Sequence, residues 1–111
     1  MKDLTIAKKY LQKNQNAKRA GHSFELSFTE FKRLMNKKRC TYSGLELVDE
    51  KEKFCSRTID RIDATKGYIS GNVEAVAFGI NALKATIENP EHKMTLEALI
   101  KMAKTLKSQT S

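Results

Sequence analysis

The 111 residues predict a small α+β fold that is mostly helical. Two observations carry this: residues 4–20, 27–38 and 94–106 repeat apolar positions at helical spacing, while residues 58–76 alternate like two short strands around a glycine-containing loop. A chain of this length forms one domain with one modest core.

Taken in order, residues 1–21 form a basic N-terminal helix, with Leu4, Ala7, Leu11 and Ala17 on one side and Lys8, Lys9, Lys13, Lys18 and Arg19 on the other. Gly21 is the expected C-cap. The basic face either tracks phosphates or is an ordinary solvated face. Residues 22–57 form a lead-in of helix and turn. Phe24 and Leu26 alternate inward, and Ser27-Phe28-Thr29-Glu30 is a capping box for a helix running to Lys38, with Phe28, Phe31, Leu34 and Met35 inward. Lys37, Lys38 and Arg39 make its end basic, which complements the helix dipole and also offers a phosphate surface.

A tight turn follows at residues 40–45, then the charged run Asp49 to Lys53, expected to be the least constrained part of the chain. Residues 54–62 read as extended. In residues 58–88, one strand carries Asp60, Arg61 and Asp63, a loop spans residues 64–71, a second strand covers residues 73–76, and a helix runs from Ala77 to just before Asn89-Pro90. Residues 89–111 hold a turn, a helix expected to cover the core through Leu96, Leu99, Ile100, Ala103 and Leu106, and a frayed tail from Lys107.

Twenty-one Lys and Arg against thirteen Asp and Glu leave a net charge of +8. On so small a body that field attracts polyanions, and DNA is the expected partner. No apolar run approaches the roughly 18 residues of a membrane span, and no basic amphipathic helix with an aromatic face stands out, so no membrane partner is expected. The N-terminus has no apolar leader segment, which predicts a cytoplasmic protein. Structural zinc is not expected: there are only two cysteines, Cys40 and Cys55, and Ser43 stands where a Cys-x-x-Cys pair would need its second thiol.

The densest polar stretch is Thr58 to Lys84, with an Asp-Arg-x-Asp, a Lys-Gly-Tyr, a Gly-Asn and an Asn-x-x-Lys. It resembles the ββα-metal motif of HNH endonucleases, in particular the small HNH proteins of bacteriophages. The likeness extends over residues 15–106, through Lys18-Arg19-Ala20-Gly21 and Cys40-x-Tyr42-Ser43-Gly44. The resemblance implies that Asp60 and Asn81 bind a divalent cation, Mg²⁺ or Mn²⁺, and that Asn72 orients the general base. It implies that Arg61 and Lys84, with Lys66, Lys37, Lys38 and Arg39 around them, contact DNA phosphates. The implied activity is phosphodiester hydrolysis in DNA, by nicking or full cleavage, in a host cell's cytoplasm if a phage encodes the chain.

One position departs from that pattern. Arg61 occupies the place where the family usually has the histidine that takes a proton from water, and a guanidinium cannot act as that base. Asp63 and His22 are the candidate substitutes. The alternative is an HNH scaffold impaired in catalysis that binds DNA or a host protein.

Overall fold

The computed structural model describes residues 2–110. It is an α+β fold with helices α1 (Asp3–Arg19), α2 (Phe28–Asn36), α3 (Phe78–Glu88) and α4 (Leu96–Thr110), and strands β1 (Arg57–Arg61) and β2 (Val73–Ala77). The chain divides into two compact units, Met1–Ile80 and Asn81–Ser111, and the division falls inside α3. No helix among the described residues is long and apolar enough to cross a membrane.

In the first unit, the core gathers Ile6 from α1, Leu26, the α2 residues Phe31, Leu34 and Met35, Cys40, Leu47, and the strand residues Ile59, Val73, Ala75, Val76 and Ala77. The buried stripe of α1 is not the expected one. Leu4 and Leu11 are 69% and 61% exposed, whereas Ile6 and Ala17 are buried and Tyr10 packs against the core. Ile6, Tyr10, Lys13 and Ala17 follow one another at steps of four, three and four, a single helix face. Two of its members carry polar tips, which hid it from an apolar count. Tyr10 meets Phe24, Phe28 and Phe31 edge-on at centroid distances of 5.4, 5.6 and 5.3 Å and donates its hydroxyl to the Leu26 carbonyl, so one side chain ties α1 to α2.

The chain leaves α1 through Gly21 at φ +82°, with Gly21 N–H bonded to Lys18 O and His22 N–H to Ala17 O, the Schellman pattern. This turn aims His22 toward the hairpin. The Ser27 hydroxyl accepts from the Glu30 N–H at 3.1 Å, as a capping box requires. Helix α2 stops at Asn36, two residues before the expected Lys38, because its C-terminal carbonyls are capped from outside: Arg57 Nη1 donates to Leu34 O at 3.0 Å and to Lys37 O, while its Nε pairs with Asp49 at 2.9 Å. A cation at a helix C-terminus satisfies both the orphan carbonyls and the dipole.

Asp49 to Lys53 is better held than its composition predicts. Ser56, almost fully buried, donates its hydroxyl to Glu50 O at 2.6 Å and accepts from Lys53 N–H at 2.8 Å. Strands β1 and β2 are antiparallel, with Arg57 opposite Ala77, Ile59 opposite Ala75, Asp60 opposite Glu74 and Arg61 opposite Val73. Ile59 and Ala75 face the core, so the Asp60–Glu74 pair occupies the other face of the ribbon.

In the second unit, Asn89 caps a one-turn 3₁₀ helix at Pro90–His92 and the Thr95 hydroxyl accepts from Ala98 N–H at 3.0 Å, one turn into the start of α4. Helix α4 begins two residues later than expected and continues through the predicted frayed tail to Thr110; Ser111 lies outside the described residues. None of its residues is buried.

Candidate active site on the hairpin

Asp60 projects from the next-to-last residue of β1, beside Glu74 on β2. Carboxylates directly opposite in an antiparallel pair repel, by roughly 0.2–1 kcal/mol. The turn at residues 40–45 offsets this. Its Thr41 N–H bonds the Ala75 carbonyl at 3.1 Å, seating it on the free edge of β2. The Thr41 hydroxyl then donates to Glu74 Oε2 at 2.9 Å, and the Tyr42 hydroxyl to Asp60 Oδ2 at 3.1 Å. Lys37 adds an ion pair to Glu74 at 3.3 Å and a contact to the Thr41 hydroxyl. Glu74 was not singled out in the sequence, where it reads as one outward charge on a strand; only the register makes it the neighbour of Asp60.

The loop between the strands is closed by Asn72, only 6% exposed. Its Oδ1 accepts from Asp63 N–H at 2.8 Å, and its Nδ2 donates to Asp63 O at 3.2 Å and Gly67 O at 2.9 Å. The amide is thereby committed to loop backbone, whereas the resemblance gave it a base to orient. Asp63 Oδ1 accepts from both the Thr65 hydroxyl (2.6 Å) and the Thr65 N–H (2.9 Å), an Asx turn. The Thr65 hydroxyl, then the Thr65 N–H and the charge of Lys66, hold the Asp63 carboxyl below its ordinary pKa, against a smaller opposing effect of desolvation. Those contacts make it a weaker proton acceptor. Gly67 lies against the lead-in segment: a Cβ there would sit 2.1 Å from Ser23 Oγ and 2.6 Å from the Ser23 carbonyl oxygen. That close approach allows the bonds Tyr68 N–H to Ser23 O and Glu25 N–H to Tyr68 O.

Arg61 closes the same loop from the other side. Its Nη1 faces Ala64 O at 2.9 Å, Lys66 O at 3.1 Å and His22 Nδ1 at 3.2 Å. Its guanidinium also lies 5.5 Å from the Tyr68 ring centroid, with Lys13 Nζ 4.6 Å from the same ring and His22 edge-on to it. The structure thus brings His22, Arg61, Asp63 and Asn72 together around residues 63–68. A guanidinium has no lone pair, so His22 Nδ1 must be the acceptor.

The other basic residues divide by role. Lys37 is engaged with Glu74, and Arg39 donates to Gly44 O at 3.1 Å; Lys38 and Lys66 are exposed. Helix α3 follows β2 without a loop, its first N–H groups bonded to Ser56 O and Phe54 O at 2.8 Å each. Asn81 is its fourth residue and half-buried, and Lys84 pairs with Glu88 at 2.8 Å on the same helix. A cavity of 380 Å³ opens between α1, α2 and residues 49–52, and its lining includes none of Asp60, Arg61, Asn72 or Glu74.

The donor set around Asp60 is made of hard oxygen atoms, which suits Mg²⁺ or Mn²⁺ rather than a soft metal. Among the described residues no three His, Cys, Asp or Glu side chains are grouped to hold a metal ion, so a site at Asp60 would draw on amide, water or phosphate oxygens.

The chain matches no protein family and no solved structure. It is 36% identical over 86 residues to an uncharacterized 29.0 kDa protein of Enterobacteria phage T4, an alignment covering 76% of this chain and 34% of the phage protein. The chain therefore spans about a third of the length of that relative.

Proposed function

We propose that this chain is a phage-encoded, metal-dependent DNA endonuclease of the HNH type, acting in the host cytoplasm. The observation that carries the reading is the run of β1, a loop clamped by Asn72, β2 and then α3 without a break, with Asp60 near the end of β1 and Asn81 in the first turns of α3. This is the order of elements in the ββα-metal motif that the sequence resembles.

In this reading Asp60 is the carboxylate ligand of Mg²⁺ or Mn²⁺. A bound divalent ion would supply Lewis-acid activation of water and offset charge on the phosphate oxygens. Asn72 and Arg61 keep the loop in the shape that presents Asp60 and the exposed Lys66 to DNA. Lys38 and Lys66 contact phosphates, and the +8 net charge draws the duplex in.

The test is incubation of supercoiled plasmid with Mg²⁺ or Mn²⁺, wild type beside Asp60→Ala. Relaxed circles with wild type alone are expected; equal inertness of both proteins removes the nuclease reading.

A specific observation favours a second reading, an HNH scaffold that binds DNA or a host protein without cutting. Arg61 stands at the usual base position, His22 Nδ1 is bound to it, and Asp63 is bound to Thr65. A shift of DNA in a gel that weakens as salt rises, with no cleavage, supports binding to DNA; no shift at low salt leaves the host protein.

A further inference from the structure

We infer that Tyr42 is a positioning residue for the Asp60 carboxylate, and that the turn at residues 40–45 is built to hold it there. The inference rests on the reading of Asp60 as a metal ligand. The Tyr42 hydroxyl donates to Asp60 Oδ2 at 3.1 Å, from a ring that is 44% exposed and absent from the core cluster.

The turn beneath it is fixed from several directions. Cys40 is buried, its N–H bonded to Leu45 O at 2.8 Å, and Gly44 bonds Cys40 O at 2.9 Å from φ +73°. Thr41 N–H grips Ala75 O on β2, and Arg39 Nη1 reaches Gly44 O at 3.1 Å from the start of the turn. The adjacent residues Thr41 and Tyr42 thus serve the cross-strand pair Glu74 and Asp60, one hydroxyl to each. The Tyr42 hydroxyl holds one oxygen of the Asp60 carboxylate in place ahead of any cation. Hydrogen bonds of this kind to ligating carboxylates orient them and raise metal affinity.

Tyr42→Phe removes one oxygen and keeps the ring. Calorimetric titration with Mn²⁺ compares wild type, Tyr42→Phe and Asp60→Ala, with far-UV dichroism and gel shift as controls on fold and DNA binding. The expected result is Mn²⁺ affinity weaker by about 10-fold in Tyr42→Phe, no binding in Asp60→Ala, and unchanged controls. Where wild type nicks plasmid, raising Mn²⁺ should restore the rate of Tyr42→Phe, which a purely structural defect would not allow. Equal Mn²⁺ affinity in wild type and Tyr42→Phe, with none in Asp60→Ala, overturns the role of Tyr42 and leaves Asp60 as ligand. Equal affinity in wild type and Asp60→Ala, or none in wild type, removes the ligand reading and this inference with it.

Discussion

His22 Nδ1 and Arg61 Nη1 lie 3.2 Å apart, and the direction of that contact is fixed because the guanidinium can only donate. His22 Nδ1 therefore faces a permanent cation. The expected outcome for His22→Ala is metal-dependent nicking within a few-fold of wild type. Loss of a working general base would instead lower the rate by about a hundred- to ten-thousand-fold. Plasmid nicking rates at fixed Mg²⁺ separate the two results.

Arg61→His tests the same position from the other side. It places an imidazole next to Asp60 and removes the guanidinium that holds Ala64 O and Lys66 O. Nicking should rise, with a rate that increases through about pH 6.5 as the new imidazole deprotonates. Stability should fall by about 1.5–3 kcal/mol, the range for hydrogen bonds to a charged donor. A faster, pH-dependent but less stable enzyme supports Arg61 as a loop clamp standing in the place of a base. A variant that is stable and no faster contradicts it.

Asn72 carries more of the loop than any other side chain. Asn72→Ala would leave the Asp63 N–H without its partner and remove one of two donors from each of the Asp63 and Gly67 carbonyls, which keep Lys66 N–H and Ile69 N–H, a loss of about 1–3 kcal/mol. Asn72→Asp should recover little of it, since a carboxylate can accept from Asp63 N–H but cannot donate to either carbonyl. Urea midpoints for the two variants give the comparison; full recovery with Asp would mean that the donor half of the amide is idle.

The sign of the Asp63 shift fixes a pH dependence. Its folded pKa is depressed below the ordinary carboxylate value, so its contribution is fully present above that value and is lost as pH falls through the lower, folded value. Thr65→Val removes the hydroxyl that is the largest cause of the depression, so the Asp63 titration followed by NMR should move upward. An unchanged midpoint would assign the shift to the backbone and Lys66 instead.

The hairpin and α2 were legible because local chemistry specifies them: a Ser-x-x-Glu cap, and a glycine and an asparagine at the end of the loop between two alternating runs. The stripe of α1 was not, since its central members Tyr10 and Lys13 bury apolar stems under polar tips. Ser56 holds residues 49–53 by local bonds to Glu50 and Lys53 that a charged run does not announce, and Arg57 holds the end of α2 through contacts between segments distant in the chain, which composition alone does not encode. Glu74 was missed for the same reason, since its pairing with Asp60 depends on strand register. The periodicity of α4 revealed an apolar face but not what, if anything, lies on it.

Gly67 offers a prediction in which two explanations of one glycine part ways. Its backbone φ is not in the left-handed region, so conformational freedom does not explain it; the contact with Ser23 does. Gly67→Ala should destabilise the chain by about 1–3 kcal/mol through overpacking. Because the nearest atoms include the Ser23 carbonyl oxygen at 2.6 Å as well as the side-chain oxygen at 2.1 Å, Ser23→Gly should rescue only part of that loss. Full rescue in the double variant would mean that the backbone gives way easily, and that the 22–26 segment is not held tightly against the loop. Partial rescue would leave the segment that carries His22 fixed by main-chain contact, which is the condition for His22 to meet Arg61 at all.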